Sequence, residues 1–153
     1  MTAPLHGTVT LRDGMAFDAV ADSGHGLALD ASPEVGGANR GARPMELLLL
    51  GLGGCTGMDV ISLLRKMRQE VTAYRVELAA DRADDHPKVM TAITITHVVT
   101  GRGLDPAKVR RAVELSATRY CPASAMLCAA APIRHRYRVI DEETDEELEG
   151  EVD

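Results

Sequence analysis

Two cysteines carry the chemistry open to this sequence. Cys55 stands in Pro44 to Leu64, PMELLLLGLGGCTGMDVISLL, and Cys121 in TRYCPASAML. A thiol that meets an oxidant becomes a sulfenic acid, and a second thiol within reach condenses with it to a disulfide. Two sulfurs suffice for that cycle, without metal or flavin. It requires the segments bearing them to pack side by side, with Cα atoms about 4.4–6.8 Å apart. A plainer alternative stands beside it, because a free cysteine in an apolar helix commonly serves as a small core residue.

The other candidates read as structural. Cys128 lies two helical turns past Cys121 and is expected to be buried packing. Neither C-x₂₋₄-C nor a clustered histidine pair is present, so zinc is not expected. His97 and His135 fall on different strands, and His6, His25 and His86 in loops or near the terminus. Asp59, four residues past Cys55, shares its helix face and reads as a polar interface contact instead of an acid; Tyr120 reads as packing. No phosphate loop, dinucleotide fingerprint or Ser–His–Asp spelling occurs.

The pattern around these residues predicts the elements that must position them. Pro44 suits a first helical turn and Glu46 faces the positive end of the helix dipole, so a long central helix starts there. It should end near Met67 to Glu70. Its uncharged interval is too short for a membrane span, which favours a buried helix. Four glycines (Gly51, Gly53, Gly54, Gly57) each cost about 0.8–1.0 kcal/mol in a helix. They imply close backbone approach to a second helix, a partner chain or a substrate. Upstream, His6 to Ala31 alternates with Asp-Gly and Ser-Gly turns, a three-stranded meander, and Ser32 to Arg43 is a loop. Downstream, Val71 to Ala80 and Lys88 to Thr100 form a hairpin, with Ile93, Ile95 and Val99 on one face. Asp105 caps a second long helix with Pro106 at its first position, and Val109, Val113, Ser116 or Ala117, and Tyr120 recur at helical spacing. After Pro122, Ser124 to Ala131 is a short helix, and Ile133 to Val139 a final strand with arginines outside. This is an α+β order and not a parallel βαβ series.

Composition bounds the class. The 153 residues make one domain over 1–140, large enough for a core without disulfide staples. One Phe, three Tyr and no Trp argue against recognition of nucleic acid by stacking. An odd number of cysteines, with neither a basic nor an apolar start, predicts reduced thiols and a cytoplasmic location, away from membranes. The net charge of −6 arises in residues 141–153, DEETDEELEGEVD, whose removal leaves 17 bases against 14 acids. That acidic tail is expected to be disordered and solvated.

The run PEVGGANRGARPMELLLLGLGGCTGMDV, with TRYCPASAML and the Arg12-Asp13-Gly14 turn, resembles the OsmC/Ohr family of organic hydroperoxide peroxidases. Its Gly-Gly-Cys spelling and HPKVMTAITITHVVTGRGL are similar to a less characterised OsmC-like branch. The resemblance spans about Gly7 to Ile140 and implies an intertwined homodimer with two sites at the subunit interface. It implies a peroxiredoxin-like cysteine peroxidase acting on alkyl or lipid hydroperoxides, with no cofactor and an external dithiol as reductant. Cys55 would be peroxidatic and Cys121 resolving. Glu46 would pair with an arginine that orients thiolate and peroxide: Arg12 on the Ohr pattern, Arg40 on the OsmC pattern.

A cation there has a physical purpose. A thiol of pKa about 8.5 is only about 3% thiolate at pH 7, and a guanidinium beside it lowers that pKa. Nine residues separate Glu46 from Cys55, about 13.5 Å of rise in an unbroken helix and roughly half a turn out of phase. Glu46 therefore either completes the site of another subunit, or the chain kinks among Gly51 to Gly54. Two rivals use the same pocket: a non-catalytic protein binding an apolar ligand, and a thiol redox sensor. A Cys55 pKa below the usual value favours catalysis or sensing; a raised one favours passive lining.

Overall fold

A computed structural model describes residues 2–153. The chain divides into two compact units, the first ending at Leu48 and the second beginning at Leu49. The physical reason is that its strands form two separate sheets, one in each unit.

In the first unit β1 (Gly7–Asp13), β2 (Ala16–Ala21) and β3 (Gly26–Leu29) make the expected antiparallel meander. Gly14 closes the first turn with φ +54°, a conformation that suits a residue without Cβ. Every residue of β1 is exposed, including Val9 and Leu11. The loop that follows is organised by one buried carboxylate. Asp30 accepts from the backbone N–H of Ala31 at 2.8 Å, and of Ala38 and Arg40 at 3.1 Å. Helix α1 (Pro44–Lys66) then begins, with the Glu46 carboxylate accepting the Arg43 N–H at 2.9 Å. It runs without a break through all four glycines, and Arg68, at φ +57°, turns the chain out of it. By length and apolar composition α1 would suffice to cross a bilayer. Leu52, Thr56, Val60 and Leu64, a stripe at four-residue spacing, are instead buried in protein.

In the second unit β4 (Glu70–Arg82) and β5 (Met90–Arg102) form the hairpin. Helix α2 (Pro106–Leu115) is capped by Asp105, whose side chain accepts the Ala107 N–H. Helix α3 (Pro122–Leu127) and β6 (Ile133–Asp141) follow. β6 lies parallel to β5, a pairing that needs a crossover, and the helical segment supplies it. The second helix is shorter than its spacing suggested. After Leu115 the backbone widens into a π-type turn over Ser116–Tyr120, in which the Cys121 N–H reaches back to Ser116 O at 3.0 Å. The extra residue rotates the register, so Ser116 is buried while Tyr120 is 46% exposed, with Arg119 over its ring.

The acidic tail departs most from expectation. β7 (Glu147–Val152) pairs antiparallel with β6 at the sheet edge. Taken alone, its charges repel; beside β6 they find the arginines. Glu151 bridges Arg134 at 3.2 Å, Glu149 bridges Arg136 at 3.7 Å, and Glu147 bridges Arg138 at 3.1 Å. Such exposed pairs are worth about 0–1 kcal/mol each, so burial of Val152 also matters. The core has two parts. Val60, Leu64, Val99, Val109, Val113, Tyr137 and Val139 form one; Leu52, Ile93, Ile95, Cys121 and Ala131 form the other.

Candidate active site

Cys55 is half-buried on α1 and packs against the second core cluster, which contains the buried Cys121. Both are free thiols, 66 positions apart in the sequence, and Cys121 bears directly on the Cys55 sulfur. The start of α3 arranges this. Pro122 begins the helix, Cys121 caps it, and the Cys121 sulfur accepts the Ser124 N–H at 3.3 Å. The Ala123 N–H is turned to Cys55 and favours its thiolate. Each sulfur thus has a backbone amide beside it.

Burial nevertheless pushes the Cys55 thiol up, with Cys121 and Asp59 adding to the effect and the Ala123 amide opposing it. Asp59 is the charged side chain that bears on Cys55, and it is the wrong sign to stabilise a thiolate.

Around Cys55 lies a polar network that sequence reasoning missed. Thr56 Oγ1 and Ser116 Oγ are 2.8 Å apart, both residues fully buried, and Ser116 donates to Asp59 Oδ2 at 3.1 Å. A carboxylate only accepts, which fixes the order: Thr56 donates to Ser116, and Ser116 to Asp59. The sequence placed Asp59 on the Cys55 face of α1; nothing local in it named Ser116 as its partner.

The remaining expected site residues belong to the first unit. Glu46 is exposed and caps α1 through the Arg43 amide. α1 is continuous, and nine residues of ideal helix put Glu46 out of phase with Cys55. Arg12 pairs with Asp18 at 3.2 Å, both about half exposed. Arg40 is held by Asp13 and stands 3.7 Å from Asp30. Arg43 donates to neutral acceptors, Asn39 Oδ1 at 2.7 Å and Gly41 O at 2.8 Å. Cys128, expected in the core, is exposed and donates to Ala125 O. Helix α3 is only 6 residues long, so its second turn never reaches the core. Among the described residues no cluster of three or more metal-ligating side chains forms.

Two apolar hollows flank these elements. One, of about 360 Å³, lies in the second unit between Leu50, Gly54, Met58 and Ile61 of α1 and Tyr74, Val76 and Leu78 of β4. The other, of about 370 Å³, lies in the first unit and is lined by Val9, Met15, Phe17 and Leu29.

A family model described as OsmC-like protein matches residues 36–136, a span that takes in the loop, α1, both cysteines and most of the second sheet. The chain belongs to the OsmC-like family. Protein YhfA of Escherichia coli K12 is 38% identical over 128 residues, covering 84% of this chain and 92% of YhfA. A crystal structure of a hypothetical protein from Aquifex aeolicus VF5 superposes with TM-score 0.81 at 28% identity, covering 92% of this chain and 99% of that one. The organic hydroperoxide resistance protein OhrB of Bacillus subtilis superposes with TM-score 0.58 at 18% identity, covering 88% and 98%. At that identity the likeness is one of fold. The OsmC/Ohr fold expected of this OsmC-like chain is the one observed.

Proposed function

We propose that this OsmC-like protein is a thiol peroxidase that reduces organic hydroperoxides. The observation that carries the reading is the convergence of Cys55 and Cys121, each beside a backbone amide, in one apolar cluster. The Cys55 thiolate attacks the terminal peroxide oxygen; the O–O bond breaks and the alkoxide leaves as the alcohol after taking a proton. The Cys121 thiolate then attacks the Cys55 sulfenic sulfur, forming the disulfide and expelling hydroxide, which takes a proton to leave as water. An external dithiol restores both thiols by exchange.

We further propose that the protein acts as a homodimer and that a second copy brings Glu46 and Arg12 to Cys55. Exposed apolar side chains support self-association: Val9 at 61%, Leu50 at 57% and Met58 at 74%. Arg12 is the better candidate because its single bridge to Asp18 is exposed and weak, whereas Arg40 is held by two carboxylates. The test is stopped-flow reaction of the reduced protein with an alkyl hydroperoxide. Cys55→Ser should abolish peroxide consumption, and survival of the activity refutes the assignment. Cys121→Ser should give one turnover and stall.

One observation favours a second reading. The raised Cys55 pKa fits a passive thiol lining a site for an apolar ligand. That reading requires an unreactive Cys55 in the assembled protein and a small apolar molecule that co-purifies with it.

A further inference from the structure

Disulfide formation demands that two sulfurs on different elements be held in register, and one residue joins the backbones that carry them. Ser116 does so through two groups. Its carbonyl oxygen accepts the Cys121 N–H at 3.0 Å, across the π-type turn. Its hydroxyl lies 2.8 Å from Thr56, the residue after Cys55, and donates at 3.1 Å to Asp59, one turn further along α1. The path from Cys55 to Cys121 is therefore one peptide link, one side-chain hydrogen bond and one backbone hydrogen bond. Ser116 and Thr56 are fully buried, so water cannot replace their bond, and buried hydroxyls left unpaired are costly. A π-type turn is also less favourable than continued α-helix, and such bulges recur at functional positions. Here the turn changes the register so that Ser116 faces α1 and Cys121 opens α3.

We infer that Ser116, held by Thr56 and Asp59, is a positioning residue for the step in which Cys121 attacks Cys55, an inference that rests on the disulfide-forming reading of the site. It touches neither sulfur. It sets the approach of the resolving sulfur and leaves the first reaction of Cys55 alone.

The test uses dithionitrobenzoate, an aromatic disulfide, so that it does not depend on peroxide chemistry. Cys55 thiolate attacks it, forming a mixed disulfide and expelling one thionitrobenzoate. Cys121 thiolate then attacks the Cys55 sulfur, forming the protein disulfide and expelling the second. The two releases are read separately by absorbance, in a Cys128→Ser background that removes the exposed thiol. In Ser116→Ala the first release should stay within about twofold and the second slow by about 10- to 100-fold, the scale that an ångström of misplacement produces. The isosteric Thr56→Val should do the same, and Thr56→Ser, which keeps the hydroxyl, should restore the rate. A second release unchanged in Ser116→Ala and Thr56→Val overturns the inference. So do both phases slowing together, or Thr56→Ser being as slow as Thr56→Val. A parent protein inert to alkyl hydroperoxide but showing two releases sinks the peroxidase reading and leaves this one standing. A parent that releases only one sinks both.

Discussion

The Tyr74 hydroxyl lies 2.6 Å from Nδ1 of His97, with the histidine fully buried and its Nε2 without a partner among the described residues. Burial, with His135 nearby, lowers the His97 pKa to about 3, and burial lowers that of His135 as well. Folded-state values below the unfolded one mean that the unfolded chain takes up protons first as pH falls. The stability contribution is thus complete above the unfolded pKa of about 6.5 and is lost progressively below it, down to the folded pKa. Urea unfolding should show stability falling between pH 7 and pH 5, by up to about 1.4 kcal/mol per pH unit for each histidine, before ordinary carboxylates titrate. His97→Gln should flatten that slope; an unchanged slope would mean that His97 titrates normally.

The reactivity of Cys55 should separate the two functional readings. In the lone subunit its thiol is raised by burial. If Arg12 arrives with a second copy, the pKa in the assembled protein falls below the usual value of about 8.5. Alkylation rate against pH, in the Cys128→Ser background, measures it. Arg12→Ala should move the midpoint upward and slow peroxide oxidation; a midpoint that stays above the usual value in both proteins favours the passive site.

Self-association should run through the outer face of α1. Met58 is 74% exposed beside a hollow lined by apolar residues. Light scattering should give the parent protein a mass of two chains, and Met58→Glu should shift it toward one, since a charge in an apolar contact is costly. A parent of one-chain mass contradicts the dimer, and a variant that stays paired contradicts the outer face of α1 as its interface.

β7 should be a structural strand and not a detachable tail. A Cβ at Gly150 would stand 2.2 Å from the Tyr137 hydroxyl oxygen and 2.3 Å from the ring carbon that bears it. A buried aromatic ring cannot easily give way. Gly150→Ala should cost about 1–3 kcal/mol by urea unfolding, the usual scale of overpacking. A neutral effect would show that β7 does not sit on Tyr137.

Much of the fold is legible in the sequence. The meander, α1, the β4–β5 hairpin and the Asp105 cap follow from alternation, helical spacing and turn residues, because each depends on neighbours within a few positions. So does the family, whose model matches residues 36–136. The π-type turn was not legible, since Ser116 to Tyr120 continue a good helical spacing and only packing against α1 decides the register.

Sequence by itself determined which residues had chemistry to offer and which segments were helix or strand. Tertiary structure decided what faces what. It set Cys121 against Cys55, joined Thr56 to Ser116, and laid the acidic run of residues 147–152 beside the arginines of β6. Local preferences act over a turn or a pleat, but a contact across 60 positions depends on two surfaces matching, and repulsion within one segment becomes attraction once the complementary strand lies alongside.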